Sequence, residues 1–504
     1  MKNFALSVLS FLLFFLPISS ISKTNWHWEK GTIVVDTPQR PAGQQDALSL
    51  KVAPIPVVRV AFVGLGMRGP GAVKRWTNIE GTRIVALCDA EKGRVDSCQQ
   101  ILTQKGFPKA EAYFGEYGYQ ELCKRPDIDL VYVATDWEHH VPVAKYALEH
   151  GKHVAIEVPS AMNLQDCWDL VNLAEKNRLH CMILENCCYD FFELNTLNMV
   201  QHDVFGEVLH VEGAYIHCLE PFWPEYWHNW RMNYNQSHRG DIYPTHGLGP
   251  VAQLLNIHRG DRMKTLVAMD TKAVGGPEYI KTNTGKDAES FRNGDHTTTL
   301  IRTEQGKVIE IQHNVMNPQP YNRKYLVTGT RGFACKYPIQ GYSLSSSQMK
   351  KSGVKPDQDN LSGHEFLKKE DQDKLVSKYK SPLIDIYGAK AKKVGGHGGM
   401  DFIMDSRLVY CLQNGLPLDI DVYDLAEWCC LAELGELSMD NNCASVAIPD
   451  FTRGKCYVQK QFRHAFATPE QEKASENIAH IYTETLKKDG VKAAEKALKK
   501  LLKK

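Results

Sequence analysis

The segment FVGLGMRGPGA, residues 62–72, limits the folds open to this chain more than any other stretch. It follows the apolar run VVRVAFVG and places Gly64, Gly66 and Gly69 in G-x-G-x-x-G spacing, and Asp89 ends the next apolar run, RIVALCD. This pattern indicates a dinucleotide-binding βαβ unit, because it combines a strand, a glycine turn that opens a helix and an acidic residue at the end of a second strand. The alternative is a tight turn that binds no ligand, but such a turn does not require the acidic residue. Because a carboxylate binds ribose hydroxyls and repels a 2′-phosphate, Asp89 favours NAD over NADP.

The runs that follow extend this unit into a sheet. IDLVYVAT, KHVAIEV and HCMILEN alternate with helix-length segments, and such alternation predicts a parallel sheet wound on both sides. We expect this Rossmann domain to span residues 56–205. Side chains at the carboxyl ends of its strands should face the cofactor crevice. Those expected around the nicotinamide half are Trp137, His140, Glu157, Val158 and Asn186.

From residue 206 onward the pattern changes. EVLHVEGAYI, TTTLIRTEQGKVIEIQHNV and KYLVTGTRGFACKY are typical of strands joined by turns, which predicts a largely antiparallel, open sheet. The polar, lysine-rich stretch 341–395 predicts a long surface excursion, and helices at 399–414 and 422–440 are expected to pack back against the sheet. The expected fold class is therefore α/β, with an N-terminal Rossmann domain and a C-terminal, substrate-binding α+β domain at 206–455.

Both ends of the chain fall outside these domains. Residues 1–22 combine Lys2, an uncharged run and small residues at Ser20 and Ser22, which predicts a Sec-type signal peptide and a periplasmic or secreted protein. A membrane anchor is the poorer interpretation, since the run is shorter than the roughly 20 residues that span a bilayer. Residues 23–55 are expected to be an extended lead-in, and 456–504 a C-terminal extension. Its basic tail is interpreted as a solvated terminal helix in preference to a membrane-surface helix.

Charge and cysteine content exclude some classes of partner and site. The net charge of +1 gives no reason to expect nucleic acid. The fourteen cysteines include Cys88 and Cys181 in strand-like runs and Cys429 with Cys430 in a helical run, where lone thiols behave as small hydrophobes. Since no CxxC pair has a second pair at zinc spacing, we predict no structural metal.

Longer segments resemble known enzymes. VRVAFVGLGMRG, GKHVAIEVP and the later mixed sheet resemble the glucose–fructose oxidoreductase and inositol dehydrogenase superfamily, which usually has a lysine between the Glu and Pro of the second motif, and this chain has Val158 there. AIEVP, ENCCY, NWRMNYNQSHRGDIYPTHGLGPVAQLL and GGHGGMDFIMDSRLVYCLQNGLPLDIDVYDLAEWCCLAELGELS resemble glycoside hydrolase family 109 over about residues 55–455. This resemblance implies α-N-acetylgalactosaminidase activity with NAD as a recycled cofactor.

The resemblance also implies which residues form the site. Those placed at NAD, besides the loop glycines, are Met67, Arg68, Asp89, Trp137, Glu138, His139, His140, Glu157, Val158 and Asn186. Those placed at the sugar are Tyr215, Arg231, Tyr243, Pro244, Thr245, His246 and Tyr325. The substrate would be a small glycoside or the terminal sugar of a glycan, and a homo-oligomer is compatible with this interpretation.

The residue types suggest the chemistry. Ordinary glycosidases use two carboxylates, and these motifs offer no evident pair. The family implies another route, in which C3 of the sugar is oxidised, the C1 substituent leaves by elimination, water adds and C3 is reduced. With Val158 in the lysine position, His246 is the candidate for the 3-hydroxyl proton, and Tyr243 donates, or accepts if a cation lowers its pKa. Tyr215 is the candidate for the C2 proton, and His217, two residues along the strand, is expected to be structural.

Two other functions fit the same residues. An NAD(P)-dependent sugar dehydrogenase or 3-keto-glycoside oxidoreductase would release NADH, and Val158 weighs against it. A non-catalytic sugar-binding or chaperone-like relative would keep NAD structurally. In any of these interpretations the rings of the segment EPFWPEYWHNWRMNY can stack on a pyranose while Arg231 holds a polar substituent. The intact Tyr243 and His246 weigh against this second alternative.

Overall fold

The structure of the protein is a computed structural model that describes residues 25–355 and 363–503. The expected signal peptide, residues 1–22, lies outside the described residues. The lead-in begins with two short antiparallel strands, β1 (Trp26–Glu29) and β2 (Thr32–Val35). Sequence analysis expected only an extended segment here, but these strands belong to the edge of the second sheet.

The first sheet has six parallel strands. They are β3 (Val58–Val63), β4 (Thr82–Asp89), β5 (Glu111–Phe114), β6 (Leu130–Val133), β7 (His153–Ile156) and β8 (Cys181–Ile183). The helices among them are α1 (Gly69–Trp76), α2 (Lys92–Gln104), α3 (Gly118–Cys123), α4 (Trp137–Glu149) and α5 (Leu164–Asn177). The strand order β5-β4-β3-β6-β7-β8 is that of a Rossmann fold. The winding reverses between β3 and β6, so the ligand crevice lies at the carboxyl ends of these strands.

The second sheet has ten strands. Besides β1 and β2 they are β9 (Val208–Ile216), β10 (Met263–Asp270), β11 (Thr297–Thr303), β12 (Val308–Asn314), β13 (Tyr325–Gly329), β14 (Gly332–Lys336), β15 (Gly341–Leu344) and β16 (Ser445–Ala447). Their order is β1-β2-β16-β10-β11-β12-β9-β13-β14-β15. Only the pairs β9–β12 and β2–β16 are parallel among the described strands of this sheet. The expected fold class, a Rossmann domain followed by a largely antiparallel sheet, is confirmed.

Helices of the second half surround this sheet and join it to the first. They are α6 (Phe191–Gln201), α7 (Trp230–Ser237), α8 (Thr245–Leu254), α9 (Gly275–Thr284), α10 (Ser346–Ser352), α11 (Lys369–Lys378), α12 (Pro382–Val394), α13 (Met400–Asn414), α14 (Val422–Cys429), α15 (Leu431–Asp440) and α16 (Pro469–Leu501). Helix α8 packs against β9 on one side and against the 3-10 turn Asn186–Tyr189 on the other. It therefore lies where the two domains meet.

Two expectations about this half need correction. Helix α15 packs on β10 of the second sheet as expected, but α13 packs against β3 and α14 against α5 and β8 of the Rossmann domain. Both helices are buried on nearly every side, so one sheet face alone could not cover them. The stretch 341–395 is also more than a surface excursion, because it contains β15 and α10–α12 and buries Leu375 and Leu383.

The C-terminal extension ends in a helix that packs on the protein. Tyr482, Leu486 and Ala494 of α16 are buried and form a small apolar cluster with Val57 of the Rossmann domain. The apolar side of the basic tail is thereby covered. Within the described ranges, no helix combines the length and the apolarity needed to cross a bilayer. All fourteen cysteines are free thiols, and most of them are buried.

Candidate functional site

A cavity of about 820 Å³ opens at the carboxyl ends of the Rossmann strands and extends to the second domain. Its floor includes Gly64 after β3, Asp89 at the end of β4, Thr135 after β6 and Glu157 after β7. The far end is lined by Tyr226, Trp230, Arg231 and Tyr243. The cavity thus joins the expected cofactor crevice to Arg231 and Tyr243, two of the expected sugar residues. None of the described residues lining it is a lysine, and Val158 is among them.

The three loop glycines test whether a dinucleotide fits. A Cβ on Gly64, where φ is +93°, would fall 2.4 Å from the backbone of Ala134, and a Cβ on Gly69 would fall 2.1 Å from the Gly64 carbonyl oxygen. A Cβ on Gly66 would meet only the Arg94 guanidinium, at 3.5 Å. The outer glycines therefore allow close packing, and Gly66 faces open space at the start of α1, which has no side-chain cap. Free backbone N–H groups and open space suit a pyrophosphate.

Asp89 closes the adenosine end of the crevice. Its carboxylate accepts hydrogen bonds from the backbone N–H groups of Leu65, at 2.6 Å, and Glu91, at 2.9 Å. The Arg94 guanidinium approaches Oδ1 at 3.5 Å. The carboxylate thereby fixes the glycine loop while it lines the cavity, and a ribose would meet an oriented acid.

The nicotinamide end is a network of ion pairs. Arg68 lies 3.5 Å from Glu157 and 3.4 Å from Asp401, and the Asn186 amide donates to Asp401 at 2.6 Å. The arginines beside Asp401 and its bond with His397 hold the pKa of this carboxyl well below its usual range, although burial opposes them. Asp401 stays ionised and orients both Asn186 and the His397 ring, whose Nδ1 lies 3.0 Å away.

Helix α4 brings its own residues to the cavity. Asp136 caps the helix by accepting from the His139 backbone N–H, and its carboxylate also meets the His139 ring at 2.7 Å. His139 and His140 line the cavity, and so does Trp137. Glu138 is exposed and is not among the lining residues.

Aromatic rings surround Arg231 at the sugar end. The guanidinium carbon lies 5.0–5.9 Å from the ring centres of Trp137, Tyr215, Tyr226 and Tyr243. One Nη atom donates to the Tyr226 hydroxyl at 2.9 Å. Nε and the other Nη are buried and have no hydrogen-bond partner among the described residues. A buried guanidinium with unsatisfied donors is suited to hold an acceptor group of a ligand.

Two glycines bring the candidate catalytic residues together. A Cβ on Gly213 of β9 would fall 2.1 Å from the carbonyl oxygen of Gly247 of α8, so strand and helix touch through their backbones. As a result the rings of Tyr215 and Tyr243 stack at 4.5 Å, and Tyr215 lies 5.3 Å from the His246 ring. The Tyr243 hydroxyl lies 3.4 Å from Nε2 of His246.

Burial sets the protonation states of this group. It lowers the pKa of His246 to about 4, although Glu185 raises it, so the ring is neutral at pH 7 and is not poised near neutrality as sequence reasoning expected. Burial raises the pKa of Tyr243 well above its ordinary value, and Arg231 offsets this only in part. Tyr243 is therefore a hydrogen-bond donor, and the alternative of a lowered phenol pKa does not hold.

His217, which sequence reasoning expected to be structural, contacts the candidate base Tyr215. Its Nδ1 lies 3.0 Å from the Tyr215 hydroxyl, and its ring contacts Tyr321 at 4.9 Å. Desolvation, followed by the charges of Arg231 and Arg323, lowers the pKa of His217 to about 4. A neutral imidazole at this distance can accept the phenol proton of Tyr215.

Glu185, Cys187 and His246 place three metal-binding atoms within 4.8 Å of one another. The Arg323 guanidinium, however, donates to the Cys187 sulfur at 2.9 Å. Its positive charge disfavours a cation at this point. The absence of a metal centre stays a prediction.

The comparisons with known proteins bear on this geometry. The family model "Oxidoreductase family, NAD-binding Rossmann fold" matches residues 58–184, and the model "Glycosyl hydrolase 109, C-terminal domain" matches residues 224–458. "Glycosyl hydrolase family 109 protein 5" of Phocaeicola vulgatus is 63% identical over 497 residues, which cover 96% of each chain. "Glycosyl hydrolase family 109 protein 1" of Bacteroides thetaiotaomicron is 62% identical over 436 residues, covering 86% of this chain and 93% of the relative.

The chain belongs to glycosyl hydrolase family 109.

Solved structures show the fold of this family 109 protein in more distant chains. An NAD-binding oxidoreductase from Klebsiella pneumoniae is 16% identical with a TM-score of 0.60, and covers 78% of this chain and 100% of its own. An aldose-aldose oxidoreductase from Caulobacter crescentus is 17% identical with a TM-score of 0.56, with the same coverage. This family 109 protein is accordingly an NAD-dependent glycoside hydrolase built on an oxidoreductase fold.

The structure brings most of the expected site residues together. The expected cofactor residues that line the cavity are Gly64, Gly66, Met67, Arg68, Asp89, Trp137, His139, His140, Glu157 and Val158. Pro244 and Thr245 begin α8 but are buried, and the Thr245 hydroxyl has no partner among the described residues. Tyr325 is not brought to this cleft. It is 2% exposed and packs edge-on against Phe192.

Sequence reasoning missed several residues of this family 109 site. Tyr321 is 40% exposed and its ring lies 4.9 Å from that of His217, so it is the candidate for the sugar contact that sequence reasoning assigned to Tyr325. Glu185 directly precedes the expected Asn186, and His397 and Asp401 fall in the quoted segment GGHGGMD. That segment runs through positive φ from residue 395 to 399, and its four glycines around one histidine were a usable signal.

Proposed function

We propose that this protein hydrolyses terminal α-N-acetylgalactosaminides by oxidation at C3, elimination of the C1 substituent, addition of water and reduction of C3. When bound, NAD supplies the hydride acceptor and, at the end of the cycle, the hydride donor. The observation that carries the proposal is the pair Tyr215–His217 beside His246. Tyr215 and His246 both contact Tyr243, which lines the end of a dinucleotide crevice whose described lining contains no lysine. Two neutral histidines and a phenol are suited to move protons from the hydroxyl at C3 and from C2.

The carboxylates near the pocket support this route over a carboxylate-pair mechanism. Glu157 lies beside Arg68 and Tyr132, and Asp401 beside Asn186 and His397. Glu185 is fully buried behind His246. An ordinary glycosidase needs two carboxyl groups flanking the scissile bond. The three named here are committed to other partners, and the exposed Glu225 is a single carboxylate among the described residues that line the sugar end of the cavity.

Each proton in the proposed cycle has a residue to carry it. The 3-hydroxyl proton passes to Nε2 of His246 while Tyr243 donates a hydrogen bond to the same oxygen. Tyr215 passes its phenol proton to His217 and then takes the proton from C2, which the ketone at C3 acidifies. After water has added at C1, His246 returns a proton to the 3-oxygen. Tyr215 protonates C2 after its phenol has exchanged its proton with solvent through His217.

The departing group needs a proton of its own. His246, His217 and His313 all have pKa values lowered by burial, to about 4, 4 and 3, so none of them carries a proton at neutral pH. His397 is more open to solvent, with a side chain that is 39% exposed, and its Nδ1 lies 3.0 Å from the ionised Asp401. In the proposed cycle His397 takes a proton from solvent at Nε2 while Asp401 holds Nδ1–H. It gives the Nε2 proton to the leaving oxygen when the C1–O bond breaks, and then takes a proton from the incoming water.

Arg231 supports an N-acetylated sugar. Its unpartnered N–H groups can donate to the carbonyl oxygen of a 2-acetamido group, while the surrounding rings stack on the pyranose. The export predicted from residues 1–22 places such an activity among extracellular or periplasmic glycans, and this location is part of the proposal.

Hydrolysis in heavy water tests the route. With 4-nitrophenyl α-N-acetylgalactosaminide we expect deuterium at C2 of the released sugar, no net NADH, and slower turnover when the substrate carries deuterium at C2 or C3. Product without C2 label, together with no isotope effect at either carbon, would overturn the proposal. Accumulating NADH with a 3-keto product would identify a dehydrogenase instead. A panel of nitrophenyl glycosides, with and without added NAD, tests the sugar specificity.

A further inference from the structure

The carboxylate of Glu185 meets the side of His246 that faces away from the sugar pocket. Its Oε1 lies 2.7 Å from Nδ1 of His246, and the backbone N–H of Cys187 donates to the same oxygen at 3.0 Å. Glu185 is 0% exposed, and His246 is 7% exposed. A buried carboxylate at this distance accepts the Nδ1–H of a neutral imidazole, which leaves the Nε2 lone pair directed toward Tyr243.

A glycine in the backbone of α8 allows Glu185 and His246 to lie close together. A Cβ on Gly249 of α8 would fall 2.9 Å from Cγ of Glu185, so only a glycine lets the helix lie this close to the carboxylate. Glu185 ends the loop after β8 of the Rossmann domain, and His246 lies on the helix between the domains. The contact therefore couples the cofactor domain to the sugar pocket.

We propose that Glu185 is a positioning residue that fixes the Nδ1–H tautomer of His246 and raises the basicity of its Nε2 toward the sugar 3-hydroxyl. The inference rests on the proposed function, in which His246 accepts that proton. Glu185 itself does not touch the substrate. It acts as the orienting carboxylate acts in other carboxylate–histidine pairs, where loss of the correct tautomer costs orders of magnitude in turnover.

Other charged and titratable groups around His246 do not provide this orientation. Those that face it from neighbouring elements are Cys187, Tyr215, Tyr243, Arg323 and His397. Burial raises the pKa of Cys187 well above its ordinary value, so the thiol is neutral and only a weak acceptor at 3.4 Å from Nδ1. Arg323 and His397 lower the pKa of His246, and Glu185 raises it.

Glu185→Gln tests the inference because it keeps the shape and removes the charge. An amide can donate to Nδ1 and allow the wrong tautomer, so kcat should fall on the order of 10²-fold or more while NAD affinity and KM for the sugar stay within about threefold. The acid limb of the kcat profile should move to lower pH, since the group that raises the pKa of His246 is gone. Glu185→Asp should restore part of kcat, because it keeps the charge.

Glu427→Gln is the matched control. Glu427 is also buried and pairs with a buried histidine, with Oε2 at 3.0 Å from Nδ1 of His258. His246 contacts Tyr243, which lines the cavity, whereas the acidic partners of His258, namely Asp421, Asp424 and Glu427, do not line it. If both variants lose thermal stability equally and neither changes the pH profile, Glu185 is only structural and the inference fails.

His246→Ala separates the inference from the proposed function. We expect this variant to bind NAD and to lose turnover. If His246→Ala is inactive and Glu185→Gln retains wild-type kcat and its pH profile, the positioning role is wrong and the proposed function stands. If His246→Ala retains more than about a tenth of the wild-type rate, the proposed function itself is wrong, since general-base catalysis contributes 10²–10⁴-fold.

Discussion

The hydroxyl of Tyr215 lies 3.0 Å from Nδ1 of His217, two residues further along the chain. Residues at this spacing on a strand share a face. Tyr215 stacks on Tyr243, which lines the sugar end of the cavity, and His217 contacts Tyr215. Because the pKa of His217 is lowered to about 4 by desolvation and by nearby arginines, the ring is neutral at pH 7 and can accept the phenol proton. In the proposed cycle the pair acts as a base that neither residue provides alone.

Replacing His217 should slow removal of the C2 proton. We expect His217→Ala to lower kcat at least about tenfold and to enlarge the isotope effect of a C2-deuterated substrate. His210→Ala, on the outer part of the same strand, is the control and should leave both unchanged. In the wild type the rate should fall as the pH drops through about 4, because protonated His217 and His246 no longer accept protons. If the C2 isotope effect is unchanged in His217→Ala, His217 does not take part in removing the C2 proton and has only a structural role.

Gly66→Ala should weaken NAD binding, whereas Gly69→Ala should destabilise the fold. The new Cβ at 69 would lie 2.1 Å from a carbonyl oxygen, whereas at 66 it would meet only a guanidinium at 3.5 Å. We expect Gly69→Ala to lose about 1–3 kcal/mol of stability by overpacking. Gly66→Ala should keep the melting temperature of the NAD-free protein but weaken NAD binding, because the methyl group occupies the approach of the pyrophosphate. Calorimetric titration and thermal melting together check the pair, and normal NAD affinity in Gly66→Ala would contradict the placement of the phosphates.

Asp89→Ala should weaken NAD binding by about 1.5–3 kcal/mol, the value of a hydrogen bond to a charged group. The same change removes the acceptor of the Leu65 backbone N–H, so the glycine loop should also lose order and the melting temperature should fall. Asp96→Ala, an exposed acid on α2 paired with Lys92, is the control. If a titration finds the NAD affinity of Asp89→Ala unaltered, Asp89 does not bind the cofactor.

Replacing His397 should make turnover depend on the leaving group. Asn at this position cannot supply a proton, so His397→Asn should lose about 10²-fold or more on an alkyl glycoside, whose oxygen needs protonation. A 2,4-dinitrophenyl glycoside leaves without an acid and should lose much less. Asp401→Asn should show the same trend more weakly, because it frees the ring that Asp401 holds at 3.0 Å. Equal losses on both substrates would show that His397 has another role.

The sequence alone determined the cofactor half of the protein. The glycine loop, Asp89 and the residues after β6 and β7 follow β3, β4, β6 and β7, which are neighbours in one parallel sheet. Because the carboxyl ends of parallel strands meet at one edge, the alternation of strands and helices suffices to place these residues together. The tyrosine and histidine of RGDIYPTHGLGP were also identifiable, because a long motif carried them. The sequence alone could not assign a role to Gly247 and Gly249 in this segment.

Only the tertiary structure decided the rest of the site. Glu185 and His246 are 61 residues apart, and Asn186 and Asp401 are 215 apart, so these contacts exist only once α8 and α13 pack against the Rossmann domain. Tyr321 is a better candidate than Tyr325 for contact with the sugar, because Tyr321 stays outside the core where the chain enters β13 and Tyr325 is buried in it. The protonation states of His246, His217 and Tyr243 depend on burial, which acts on charge through the surrounding dielectric. The sequence identifies these three side chains, but their pKa values differ from the ordinary ones because the packing of the two domains excludes water from around them.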